Sequence, residues 1–126
     1  MTKEEVARNY LLYLEKGEID KIIDLFAADG IVVSPLYGTK SAKDFYEVLS
    51  TGTNTSKLQL DGLFFEKDSN RVSLLFDYHW ELKHGEIVDF KVVDIIELTT
   101  ENKIKKLTIL YDTVRSRAAL NNLNLK

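Results

Sequence analysis

The chain is predicted to fold as one α+β domain, with three N-terminal helices packed on a curved antiparallel sheet. Three observations support this. Apolar residues recur with the helical period of 3.6 as far as Gly52 and with the strand period of 2 from Ser56 onward. Helix-capping patterns stand at Thr2 and Ser41. Finally, 126 residues that are 44% apolar and 29% charged suit a single globular unit over 1–126, with one core and room for a pocket.

The elements follow in order. Thr2-Lys3-Glu4-Glu5 is a capping box, in which a threonine hydroxyl and a glutamate carboxylate satisfy free N–H groups at a helix start. Val6, Tyr10, Tyr13 and Leu14 form the apolar stripe of this helix, and Gly17 stops it. Ile19, Ile22, Ile23 and Phe26 then recur at i, i+3, i+4 and i+7, which predicts a second helix ending near Asp29-Gly30. Ile31-Val32-Val33 reads as a short buried strand closed by Ser34-Pro35. The third helix starts at Ser41-Ala42-Lys43-Asp44, buries Ala42, Phe45, Tyr46 and Leu49, and ends at Gly52.

Four long strands are predicted over 57–66, 71–83, 86–99 and 103–113. Lys83-His84-Gly85-Glu86 and Thr99-Thr100-Glu101-Asn102 supply the hairpin turns. Alternation in 71–83 is unbroken: Val72, Leu74, Phe76, Tyr78, Trp80 and Leu82 share one face, opposite Asp77, His79 and Glu81. The tail 114–126 is polar and is expected to be loosely ordered.

Composition excludes several function classes. With no cysteine, disulfides, Cys-ligated zinc, iron–sulfur clusters and thiol catalysis are ruled out; with two histidines, neither a metal nor another cofactor is expected. Seventeen basic against twenty acidic residues, a net charge of −3, give no electrostatic footprint for nucleic acid. No apolar run approaches ~18 residues, and Met1-Thr2-Lys3-Glu4-Glu5 has no signal-peptide character, so a cytoplasmic location without a membrane partner is expected.

One residue breaks its own pattern. In 86–99, Phe90, Val92, Asp94, Ile96 and Leu98 share a face, so a single carboxylate points with four apolar side chains. An ionised carboxylate there is costly, and Asp94 is expected to be paired, hydrogen-bonded or protonated. The neighbouring strand adds Leu107, Ile109 and Tyr111 to one face. A lone acid in an apolar, aromatic concavity reads either as a ligand site or as a structural carboxylate satisfied by a tyrosine or a backbone N–H.

Several stretches also carry a resemblance. Asn9-Tyr10, followed by Gly17-Glu18-Ile19-Asp20, resembles R-Y-x-x-x-x-x-x-G-D-x-x; Phe26-Ala27-Ala28-Asp29-Gly30 with Val33-Ser34-Pro35 resembles F/Y-A-D-D-A-T-V-E-D-P. Asp44-Phe45-Tyr46 matches x-F-Y, and Val93-Asp94-Ile95-Ile96 through Lys103-Ile104 resembles I-D-V-M followed by G-K/R-I. Over roughly residues 5–113 the chain thus resembles the nuclear transport factor 2-like superfamily, and within it ketosteroid isomerase and polyketide-cyclase-like (SnoaL-like) proteins. The resemblance implies a cystatin-like cone. It places Tyr10 and Asp94 where the isomerase keeps its oxyanion-hole donors, a tyrosine hydroxyl and a carboxylic acid held neutral by its apolar site; that enzyme is the standard example of the effect. Tyr46 falls where some members hold a tyrosine that hydrogen-bonds the first. Phe26, Tyr78, Trp80, Leu107, Ile109 and Tyr111 are candidate ligand-lining residues, with ordinary core packing as the alternative for each aromatic.

The chain departs from the family pattern at the general base, whose position is taken by Ser34. A neutral serine cannot abstract a proton from carbon without a base of its own, and His79, on the outer face, and His84, in a hairpin, supply none. A positioned base is worth ~10²–10⁴-fold, so steroid isomerase activity is expected to be weak or absent. The expected ligand is a small apolar molecule bearing a carbonyl or hydroxyl. It is either acted on by isomerase, cyclase or dehydratase chemistry or merely held by a non-catalytic ligand-binding or interaction module. Leu75, Val93, Ile95 and Leu110 among the charges of the outer face imply a C2 homodimer.

Overall fold

The computed structural model describes residues 1–124. Helix α1 (Lys3–Lys16) begins at the capping box, where Thr2 Oγ1 accepts from Glu5 N and Thr2 N donates to Glu5 Oε1. It ends at Gly17, whose φ of 69° is the left-handed conformation that glycine adopts without steric cost. Its buried face carries Val6, Ala7, Tyr10, Leu11 and Leu14.

Helix α2 (Ile19–Asp24) is shorter than its spacing predicts: Phe26 opens strand β1 (Phe26–Ser34) instead of continuing the helix to Gly30. The cause is a non-local ladder. Phe26 pairs with Ile104 of β6 (Ile104–Leu110), and after a bulge the pairing resumes at Ile31 with Lys106. Gly30 sits buried in that bulge, where an added Cβ would lie 2.8 Å from the Ile104 carbonyl oxygen and 2.9 Å from the Phe26 ring. A helix of this length is marginal by itself, so backbone pairing with a distant strand overrides the local period.

The β1–β6 ladder is parallel, so the sheet is not wholly antiparallel. On its other side β1 pairs with β2 (Gly38–Ser41), a four-residue polar strand that hydrophobic patterning does not reveal. Helix α3 (Ala42–Gly52) starts at Ser41, whose Oγ accepts from Asp44 N. Strands β3 (Thr53–Phe65), β4 (Arg71–Leu82) and β5 (Ile87–Leu98) then complete a six-stranded sheet of order β2-β1-β6-β5-β4-β3.

The alternation in β4 is reproduced in burial. Val72, Leu74, Phe76, Tyr78, Trp80 and Leu82 are all buried beneath the helices. On the other face His79 pairs with Asp89, and Lys91 bridges Asp61 and Asp77.

The tail differs from its sequence reading. Residues 114–124 form helix α4 (Val114–Asn124), which packs on β4 and β5 with Ser116 and Ala119 fully buried; residues 125–126 of the expected loose tail lie outside the described residues. Asp112 Oδ1 accepts from Val114 N at the helix start, and Arg117 donates to the Pro35 carbonyl. Leu120 and Leu123 pack against the core. Two aliphatic anchors and one alanine give a weak apolar period, too weak to mark the helix in the sequence. Among the described residues no helix is long and apolar enough to cross a membrane.

Candidate functional site

Between α1, α3, the β1–β2 turn and the inner faces of β4, β5 and β6 lies a cavity of about 50 Å³. Asp94 stands on its wall. In register Asp94 lies between Leu74 of β4 and Ile109 of β6, so apolar neighbours flank it on both sides. It is 1% exposed, and its Oδ1 has no hydrogen-bond partner among the described residues. Burial raises its pKa well above the usual carboxylate range, because an ionised group there loses its hydration without gaining a counter-charge. Burial thus favours the protonated form of this carboxyl on the wall of an aromatic cavity.

Tyr10 reaches the same cavity from α1. Its hydroxyl lies 2.6 Å from that of Tyr46, which α3 places behind it, and the two rings meet edge to face at 6.2 Å. Burial raises the pKa of both phenols well above normal, so both keep their protons. When Tyr46 donates to Tyr10, the Tyr10 hydrogen is free for the cavity. Ser34, at the end of β1, uses its oxygen differently. Its Oγ accepts from the backbone N–H groups of Leu36 (3.1 Å) and Tyr37 (3.2 Å), which folds the turn over the cavity's end.

The floor is an aromatic ladder. Tyr78 stacks on Phe90 at 5.1 Å, and Phe90 stacks on Tyr111 at 4.5 Å. The Tyr78 hydroxyl lies 2.7 Å from Ser56 Oγ, and Trp80 Nε1 donates to Thr53 Oγ1 at 2.8 Å. Partial burial pushes the phenols of Tyr37 and Tyr111 up to about 12.

Of the residues singled out in the sequence, the structure gathers Tyr10, Ser34, Tyr78, Trp80, Asp94, Ile109 and Tyr111 around the cavity. Three others are not on its lining: Tyr46 lies behind Tyr10, Phe26 packs 5.9 Å from the Tyr46 ring, and Leu107 is fully buried. Sequence reasoning missed Tyr37, Phe45 and Phe90 as lining residues. Phe90 was signalled by its shared parity with Asp94. Tyr37 lies in the turn between β1 and β2, where no period assigns a direction. Asp94 is the single carboxyl on the lining, which holds no histidine. Among the described residues no cluster of three or more His, Asp or Glu is placed to hold a metal ion.

No family model matches the sequence, and no curated protein sequence matches it. Solved structures do match in shape. A nuclear transport factor 2-like protein of unknown function from Burkholderia pseudomallei is 16% identical, with 92% of this chain and 95% of that chain covered at a TM-score of 0.79. TerC, co-crystallised with polyporic acid, is 17% identical over 92% and 95% of the two chains, with a TM-score of 0.78. A protein with a ketosteroid isomerase-like fold from Catenulispora acidiphila, in complex with trimethylamine, is 14% identical over 88% of each chain, with a TM-score of 0.76. The α+β, cystatin-like cone expected from the sequence is thus the architecture that the chain adopts, and its fold is that of the nuclear transport factor 2-like and ketosteroid isomerase-like proteins.

Proposed function

We propose that the cavity binds a small, largely apolar molecule through one carbonyl or hydroxyl oxygen, which accepts a hydrogen bond from neutral Asp94 and a second from Tyr10. One observation carries this reading: a carboxyl 1% exposed, with no partner for Oδ1, on the wall of an aromatic cavity. In such a low-dielectric setting a fixed O–H donor stabilises negative charge on a ligand oxygen far more than water would, which suits isomerase-, cyclase- or dehydratase-type chemistry. Co-crystallisation of TerC with polyporic acid is in keeping with an oxygenated ligand.

The same lining favours a second reading, ligand binding without turnover. It holds one carboxyl and no histidine, and by the sequence resemblance Ser34 falls where the isomerases carry their base. Proton abstraction from carbon therefore has no dedicated base in this cavity.

The test is calorimetric titration with 2-naphthol, a planar phenol, of the wild type, Tyr10→Phe and Asp94→Leu. The wild type binds, and each variant binds more weakly by about 1–3 kcal/mol, the range for a lost buried hydrogen bond. Equal affinity in three folded proteins, or no binding to the wild type, removes the proposal.

A further inference from the structure

We infer that the ligand site continues through the wall formed by Leu14, Leu49 and Tyr78 into a second, cationic hollow, and that its ligand is an amphipathic molecule with an anionic tail. The inference rests on the reading of the inner cavity as a ligand site. The second hollow has a volume of about 370 Å³ and lies among the ends of α1 and α3, the start of β3 and Lys83. Leu14, Leu49 and Tyr78 line both spaces.

Tyr78 and Trp80 line the inner cavity, and their hydrogen-bond partners, Ser56 and Thr53, line the outer hollow. Two of the remaining wall residues are leucines, whose rotamer changes open a path without moving the backbone. Hydrogen bonds order the β1–β2 turn, another part of the cavity's lining. Ser34 Oγ holds the N–H groups of Leu36 and Tyr37, and Arg117 of α4 holds the Pro35 carbonyl. Alone, the inner space of about 50 Å³ lies well below the ~300–1,000 Å³ range of small-molecule sites. Joined to the outer hollow it reaches the lower part of that range.

Charge identifies the tail. On a chain of net charge −3, the outer hollow carries Lys16 and Lys83 against one carboxylate, Glu15. Glu15 Oε2 is already committed to Leu58 N at 2.7 Å. Neither lysine forms an ion pair among the described residues. A carboxylate on a short apolar stem would thus meet two cations while its other end meets Asp94.

The probes are 4-(4-hydroxyphenyl)butanoate and its neutral amide, titrated calorimetrically at low ionic strength beside 2-naphthol. The carboxylate is expected to bind roughly threefold to tenfold more tightly than the amide, as two exposed charge contacts provide. In the Lys16→Gln/Lys83→Gln variant this preference disappears, while 2-naphthol and the amide bind as they do to the wild type. Equal affinity of acid and amide for the wild type, or a preference that survives loss of both lysines, overturns the inference while leaving the inner site standing if 2-naphthol binds. Failure of all three probes removes the inner site and this inference with it.

Discussion

A carboxyl flanked by Leu74 and Ile109, with no partner for one oxygen, is far cheaper to bury protonated than ionised, and on that preference rests the proposal that Asp94 is a donor. Ser34 is the contrasting residue: its oxygen is held by two backbone N–H groups, which is how an Asx turn holds a carboxylate. Ser34→Asp is therefore expected to fold and to place an ionised group at the cavity's end. We expect it to convert a small β,γ-unsaturated ketone into its conjugated isomer, followed by ultraviolet absorbance, with no conversion by the wild type. A folded but inactive variant would count against isomerase-type chemistry in this cavity. Asp94 was legible in the sequence because period-2 alternation turns a single acid among apolar residues into an anomaly. The Tyr10–Tyr46 hydrogen bond was not legible from periodicity, since pairing of hydroxyls 36 residues apart depends on how α3 crosses α1.

Among the elements, those with strong local signals were readable. The capping box and Gly17 bound α1, Ser41 starts α3, and alternation marks β4 and β5. The first half of β1, β2 and α4 escaped because their stability is non-local: β1 exists through its ladders to β2 and β6, and α4 through its seat on β4 and β5, whereas the apolar run Ile31-Val32-Val33 did mark the second half of β1. Gly30 tests this account of β1. Its missing Cβ lets the bulge approach the Ile104 carbonyl, so Gly30→Ala is expected to destabilise the protein by about 1–3 kcal/mol, the usual cost of overpacking, in urea unfolding. Unchanged stability would mean that the bulge relaxes freely and does not fix the end of α2.

For the whole molecule, the cone of helices on a curved sheet keeps one titratable carboxyl in an apolar interior, and this couples global stability to pH. The native pKa of Asp94 is raised by burial, whereas in the unfolded chain it returns to about 3.9. Between those two values the native state holds a proton that the unfolded state releases. Stability from this group is full below the unfolded value and is lost as pH rises toward the native one, at about 1.4 kcal/mol per pH unit. Asp94→Asn keeps the shape and removes the titration. The most direct test of a neutral Asp94 is therefore urea unfolding of wild type and Asp94→Asn from pH 4 to pH 8. A neutral buried acid requires the wild-type stability, relative to the variant, to fall as pH rises above the unfolded value, until the native one is reached. A relative stability that stays constant or climbs would mean that Asp94 is ionised in the folded protein, contradicting its assignment as a hydrogen-bond donor.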